Sequence, residues 1–293
     1  MVKTLGERKQ MNILVTGGAG FIGTNLIKRL LKDGHNVVSL DNYSTGKKEN
    51  EQEGCEYHAC DIRDVLNFDF FMEKPDVIYH LAALPRIQPS FEFPALTMEI
   101  GMLGTMNILE WARNKKCKVI YAGSSSVHSG HYSNPYTFSK VMGDELCIAY
   151  KRMFDVDAKV CRFYNVYGPH QLTEGEYCTV IGVFETQYKN KEELTITGDG
   201  EQRRDFTHID DIVEGLILTS ESNDFDLDIV ELGRGENHSI NELAEMFEWG
   251  YTYIPERPGE AKVTLCDTSI AKKDIGYEPK VNLKDYIKEV ISE

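Results

Sequence analysis

Gly17-Gly18-Ala19-Gly20-Phe21-Ile22-Gly23 stands between the apolar run Asn12 to Thr16 and a helical pattern over Phe21 to Lys32. A strand that turns through glycines into a helix is a narrow commitment, because a parallel sheet covered by helices is what continues it. Glycines at 17, 20 and 23 permit a tight turn, close backbone approach to a pyrophosphate, and close helix-to-strand packing. The helix N-terminus then presents unpaired N–H groups and the positive end of its dipole to the anion. The spacing is GxxGxxG rather than GxGxxG, in the strand-turn-helix context a dinucleotide site needs. A plain structural turn is the competing reading.

Asp41 follows the second strand, Asn36 to Leu40. Its carboxylate can accept both ribose hydroxyls of an adenosine and repels a 2′-phosphate, so NAD is expected rather than NADP. Asp61-Ile62 closes the third strand, Glu56 to Cys60, and either holds the adenine edge or caps the next helix. Leu81-Ala82-Ala83 follows Val77 to His80 and offers small side chains where a flat cofactor must pass.

Strand and helix go on alternating, with strands at Lys118 to Ala122 and Ala158 to Phe163 and helices at Ala95 to Arg113 and Tyr136 to Phe154. The expected fold class is α/β, a Rossmann-type doubly wound parallel sheet with a smaller C-terminal substrate-binding lobe. Residues 11–168 form the NAD-binding part, 169–293 mainly the lobe, and the chain returns to the sheet around 205–220. From Gly168-Pro169 onward the elements shorten and turns such as Gly198-Asp199-Gly200 multiply.

With 32 Lys+Arg against 47 Asp+Glu the formal charge is -15, which repels nucleic acid and anionic membrane. An anionic ligand therefore needs individually placed arginines. No apolar run approaches the ~20 residues of a membrane span, and Met1 to Gln10 reads as a polar extension. Seven scattered cysteines without a CxxC pair suit free thiols in the cytoplasm. His128 and His131 lack a carboxylate or cysteine to complete a metal set, so no metal is expected.

Tyr136 and Lys140 lie four residues apart just inside the helix start Asn134-Pro135, so both face one side of a turn. A phenol titrates near ~10, and it works as a base at neutral pH only where a cation stabilises the phenolate. Lys140 can supply that charge, and a hydroxyl among Ser124, Ser125 and Ser126 can share the proton.

Several stretches in order make the chain similar to the extended short-chain dehydrogenase/reductase superfamily. They are GGAGFIG (17–23), DNYSTG (41–46), DIRD (61–64), HLAA (80–83), NPYTFSK (134–140), RFYNVYGP (162–169), GDGEQRRDFTHIDD (198–211) and RPGE (257–260). Within it the chain most resembles the nucleotide-sugar epimerase/dehydratase family, the UDP-glucose 4-epimerase kind included. The resemblance implies a tightly held NAD that removes hydride from C4 of the sugar and returns it to the other face. Tyr136 is then the base, Lys140 the holder of the nicotinamide ribose, and Ser124 the hydroxyl partner, with Ser125 the close alternative. Phe21, Ile22 and Asn42 fall within its cofactor motifs. The diphosphate falls to Asn165, Arg204 and Arg257, and the nucleotide ribose to Glu260. On the bare sequence, Arg204 could equally pair with Asp205 or Asp210, and Arg257 could be an exposed turn. Arg86 lies near the sugar, and Thr264 controls the room beside its ring.

The relatives that dehydrate or decarboxylate carry an acid after the hydroxyl residue; Ser125, Ser126 and Val127 stand there. Plain 4-epimerisation of UDP-glucose/UDP-galactose is the expectation, with UDP-N-acetylhexosamine or UDP-glucuronate as further substrates. The alternatives are a 4,6-dehydratase, a related reductase, and a non-catalytic NAD-binding module. The chain departs from the pattern in a short run from Ser124 to Tyr136, in His128 for the usual Tyr, and in Gly101 for Asn. Relatives pair two helices per subunit in a homodimer, here Ala95 to Arg113 and Tyr136 to Phe154.

Overall fold

The computed structural model describes residues 9–64, 68–173, 175–259 and 261–292. Seven strands form one sheet: β1 Asn12–Thr16, β2 Asn36–Asp41, β3 Glu56–Ala59, β4 Val77–His80, β5 Lys118–Ser124, β6 Ala158–Phe163 and, after shorter strands named below, β11 Ile229–Leu232. Their order is β3-β2-β1-β4-β5-β6-β11, every pairing parallel. β1 is apolar without alternation because both faces are covered: Ile13, Leu14 and Val15 each expose 0%.

One face carries α1 Phe21–Lys32, and with it pack the later helices α7 Ile209–Glu221 and α9 Thr268–Ile275. On the other face lie α4 Thr105–Lys115 and α5 Pro135–Phe154, closing on Leu14, Leu40, Ile108, Leu109 and Cys147. α5 starts where Pro135 fixes a helical φ and the Asn134 Oδ1 accepts from Thr137 N at 2.8 Å; it ends at Asp155 in the left-handed region. Short helices α2 Ile87–Glu92 and α3 Pro94–Met98 precede α4.

The single helix expected from Ala95 to Arg113 is interrupted: Glu99–Gly104 is π-helical. The cause is close packing. A Cβ on Gly101 would lie 2.8 Å from Ser139 Cβ, and one on Gly104 2.4 Å from Ile62 Cδ1, so the wider turn settles where two glycines admit neighbours. β5 also runs two residues beyond the expected Ala122, to Ser124.

A third core gathers Tyr167, Phe184, Leu194, Ile196, Phe206, Leu243, Phe247 and Ile287. It is built from β7 Val166–Tyr167, α6 Val180–Lys189, β8 Leu194–Thr197, β9 Arg203–Arg204, β10 Thr207–His208, β12 His238–Ser239, α8 Ile240–Met246, β13 Tyr251–Ile254 and α10 Leu283–Ser292. The small pairs are β10 with β7 and β13 with β8, both parallel, and β12 with β9, antiparallel. The later chain reaches the large sheet beyond 205–220, because β11 extends it past β6 and α9 packs on β11.

Candidate active site

The strand order reverses between β1 and β4, and a cavity of about 460 Å³ opens beyond the carboxyl ends of these strands. Gly17, Asp41, Leu81 and Ser124, which end or follow β1, β2, β4 and β5, all border it. So does every other described residue assigned a binding or catalytic role above, from Gly20, Phe21, Ile22 and Gly23 through Ser125 to Arg257; Glu260 lies outside the described residues.

Gly17 has φ +75, and a Cβ there would lie 2.9 Å from Ala82 N; on Gly23 it would lie 2.2 Å from Gly17 O. The turn is thus pressed against β4's exit on one side and its own helix on the other. α1 begins at Gly20 with no side-chain cap, so its first N–H groups are left for an anion. Asp41 accepts from Ala19 N (2.9 Å, Oδ2) and Tyr43 N (2.8 Å, Oδ1). Burial raises its pKa and these two N–H groups oppose the rise. Each oxygen keeps acceptor capacity for a ribose hydroxyl. These residues fit an NAD cofactor: a tight cradle, an uncapped helix end and a carboxylate beside it.

Asp61 borders the cavity and is held by its neighbours. Arg63 grips it through Nε (3.0 Å) and Nη2 (2.9 Å), Asn42 Nδ2 adds a bond at 3.0 Å, and Arg63 N closes a turn on Oδ1 at 2.9 Å. The Arg63 bonds hold its carboxyl down at about 2. Arg63 escaped sequence reading because nothing in the spacing distinguishes it from a surface arginine.

On the catalytic side, Ser124 Oγ accepts from Ser126 N at 3.2 Å and donates to Ser126 Oγ at 3.0 Å. Lys140 Nζ donates to Ala122 O at 2.7 Å and sits 5.1 Å from the Tyr121 ring centre. Burial lowers its pKa to about 8, with Asp144 one turn on opposing. Tyr136 is raised, chiefly by burial; its bond with Ser124 and the charge of Arg86 pull it back. Arg86 thus joins Lys140 among the cations beside the phenol. His80 bridges Thr16 Oγ1 (2.8 Å) and Thr105 Oγ1 (3.0 Å), and burial pushes it down to about 3, so it is a neutral strut.

Asn165 has φ +27 and spends its amide on Asp205 O (2.9 Å) and Thr264 Oγ1 (3.0 Å). Both its hydrogens serve the wall, which leaves the oxygen for a ligand. Asp205 accepts from Arg234 N (2.8 Å), Gly235 N (2.9 Å) and Cys266 N (3.0 Å), so its carboxylate ties together the two loops at 234–235 and 266. Arg204 and Arg257 border the cavity, and Arg204 Nη1 donates to Arg203 O at 3.1 Å. The short run after Ser124 is a 3₁₀ turn over Ser125–Ser129. Tyr177, Gly259 and Ala261 complete the wall there. Gln88 Nε2 (to Pro258 O, 2.9 Å) and Asn134 Nδ2 (to Gly259 O, 3.3 Å) tie that strap down.

Residues 13–233 match a family model described as the NAD dependent epimerase/dehydratase family. A putative UDP-glucose 4-epimerase of Methanocaldococcus jannaschii is 32% identical over 300 residues, covering 96% of this chain and 97% of the relative. UDP-glucuronic acid decarboxylase 1 of Xenopus tropicalis is 30% identical over 318 residues, covering 99% of this chain and 73% of the relative. Among solved structures, the UDP-glucuronic acid 4-epimerase of Bacillus cereus, in complex with UDP-glucuronic acid and NAD, superposes with a TM-score of 0.86 at 29% identity, over 96% of this chain and 98% of that one.

Proposed function

The chain belongs to the NAD-dependent epimerase/dehydratase family, and from that premise we propose that it is a UDP-sugar 4-epimerase. The observation that carries the reading is one continuous cavity bordered by the Gly17 turn and Asp41, by Ser124, Tyr136 and Lys140, and by Arg204 and Arg257. NAD, when bound, supplies the hydride acceptor and donor for C4 of the sugar. The Gly17–Gly23 turn and the α1 N-terminus bind its pyrophosphate, Asp41 its adenosine ribose and Lys140 its other ribose. Tyr136 Oη takes the proton of the C4 hydroxyl and gives it back, and Ser124 Oγ hydrogen-bonds the same oxygen. Arg204 and Arg257 hold the diphosphate, for which a planar guanidinium suits two oxygens at once.

Residues 11–168 carry the NAD end, and 169–293 most of the sugar-nucleotide end. The free cysteines support a cytoplasmic location. The apolar stripe Leu96, Leu103, Met106, each more than a third exposed, supports a homodimer. Among the described residues no helix is long and apolar enough to cross a membrane.

Product NMR on a panel of UDP-glucose, UDP-GlcNAc and UDP-glucuronate tests the reading. We expect the C4 epimer of at least one, with no keto product. A 4-keto-6-deoxy sugar would overturn it. A pentose from UDP-glucuronate would do the same.

A further inference from the structure

Arg86 adopts φ +100, a backbone region that residues with a Cβ rarely enter and that persists only where the surroundings impose it. One side-chain bond and its place in the chain define those surroundings. Its Nε donates to Tyr177 O at 2.9 Å across the cavity wall. It stands at the N-terminal boundary of α2, and Ser90 Oγ of that helix accepts from Tyr136 N at 3.1 Å. Arg86 and Tyr136 border the same cavity. The guanidinium and the phenol are thus carried by two helix starts bolted to each other.

Among the described residues, the charged and titratable groups around Tyr136 can be named. Its own helix brings Lys140 and Asp144, β5 brings Tyr121 and Ser124, and the α2 start brings Arg86. Lys140 is committed to Ala122 O at 2.7 Å and to the Tyr121 ring. Asp144 opposes a phenolate, and its charge is met by Arg162, with Nε to Oδ2 at 2.9 Å. Near Tyr177 stand Glu176 and Glu92, which act on the Tyr177 phenol.

Resting on the epimerase reading above, we propose that Arg86 is a positioning residue for the proton transfer at Tyr136 Oη: fixed by its backbone and by Tyr177, its guanidinium stabilises the phenolate. No atoms are exchanged with Arg86 itself, which stays protonated throughout. The proton leaves the sugar hydroxyl for Tyr136 Oη and returns, while Arg86 supplies charge that Lys140, tied to Ala122, shares with the backbone.

The test titrates the Tyr136 phenol by ultraviolet difference absorbance in NAD-loaded protein, with Tyr136→Phe subtracted to isolate its signal. Arg86→Gln removes the charge; Arg86→Gly also removes it but accepts φ +100 without strain, so loss of fold cannot imitate loss of charge. We expect both to raise the Tyr136 midpoint by about one pH unit or more and Arg86→Lys to restore at least half. With an accepted sugar, kcat near neutral pH should fall roughly tenfold, one pH unit being a tenfold change in phenolate, while KM holds. An unmoved midpoint in either folded variant overturns the proposal, as does a rise in KM with kcat unchanged, which would make Arg86 a substrate-binding group. The titration needs no sugar, so it decides the role of Arg86 even if the 4-epimerase reading fails.

Discussion

Asp41 shows what a single side chain carries at this site. Its two oxygens already accept from Ala19 N and Tyr43 N, so it shapes the glycine turn and the exit of β2. The same oxygens border the cavity beside the Gly20 turn, where the proposed NAD would set its adenosine ribose. Hydrogen bonds to a charged group are worth about 1.5–3 kcal/mol each. Asp41→Ala should therefore weaken NAD binding by roughly 10- to 150-fold, read as cofactor content after purification and by calorimetry on stripped protein. Unchanged content would remove Asp41 from the ribose. Asp41 was legible in sequence because its place, at the end of the second strand after a glycine turn, is set by local order. Arg86, Arg63 and Asp205 were not, or only dimly: their roles depend on a positive φ, a neighbour's carboxylate and three backbone N–H groups up to 61 residues away.

The elements α5, β6 and β11 share a buried chain of charges. Asp144 on α5 meets Arg162 on β6, whose Nη1 reaches Glu231 on β11 at 3.1 Å, and Glu231 meets His128 Nε2 at 3.0 Å. His128, half exposed, ends the chain at the surface. Burial raises Asp144 from 3.8 to about 6 in spite of Arg162. Between those values the folded chain holds a proton that the unfolded chain has lost. The contribution of Asp144 to stability is therefore full below about pH 4 and is lost as pH rises through about 6. Asp144→Asn lacks this dependence, so urea unfolding should show the variant gaining on the parent by up to about 3 kcal/mol from pH 4 to pH 7. Parallel pH profiles would show that Arg162 keeps Asp144 ionised throughout. The strands and helices here followed from period and caps, Asn134-Pro135 above all. The π-helical Glu99–Gly104 did not, because it answers to Ser139 and Ile62, which only the folded packing brings to Gly101 and Gly104.

At the scale of the molecule, the parallel sheet was readable because its central strands β1 and β4 are buried on both faces and the crossovers after β1, β4, β5 and β6 carry helices. The later chain was harder, since its two-residue strands carry no period and β11 joins the sheet from far along the sequence. What the whole chain presents outward is a charge of -15 and an apolar stripe across α3 and α4, where Leu96, Leu103 and Met106 expose 36%, 40% and 40%. Met142 and Leu146 on the neighbouring α5 are half-buried. Such a stripe on a strongly acidic chain suits a second copy packed helix to helix, and two chains of like charge repel until salt screens them. Sedimentation should thus find a mass of two chains, with dissociation weakening as salt rises from 0.05 to 0.5 M, roughly threefold in screening length. Met106→Glu puts an unpaired carboxylate into that contact and should cost about 2 kcal/mol or more, roughly 30-fold in the dimer constant. The variant keeps the fold because Met106 touches solvent, so a monomer with unchanged helicity locates the interface. A dimer that tolerates Met106→Glu places it elsewhere on the surface.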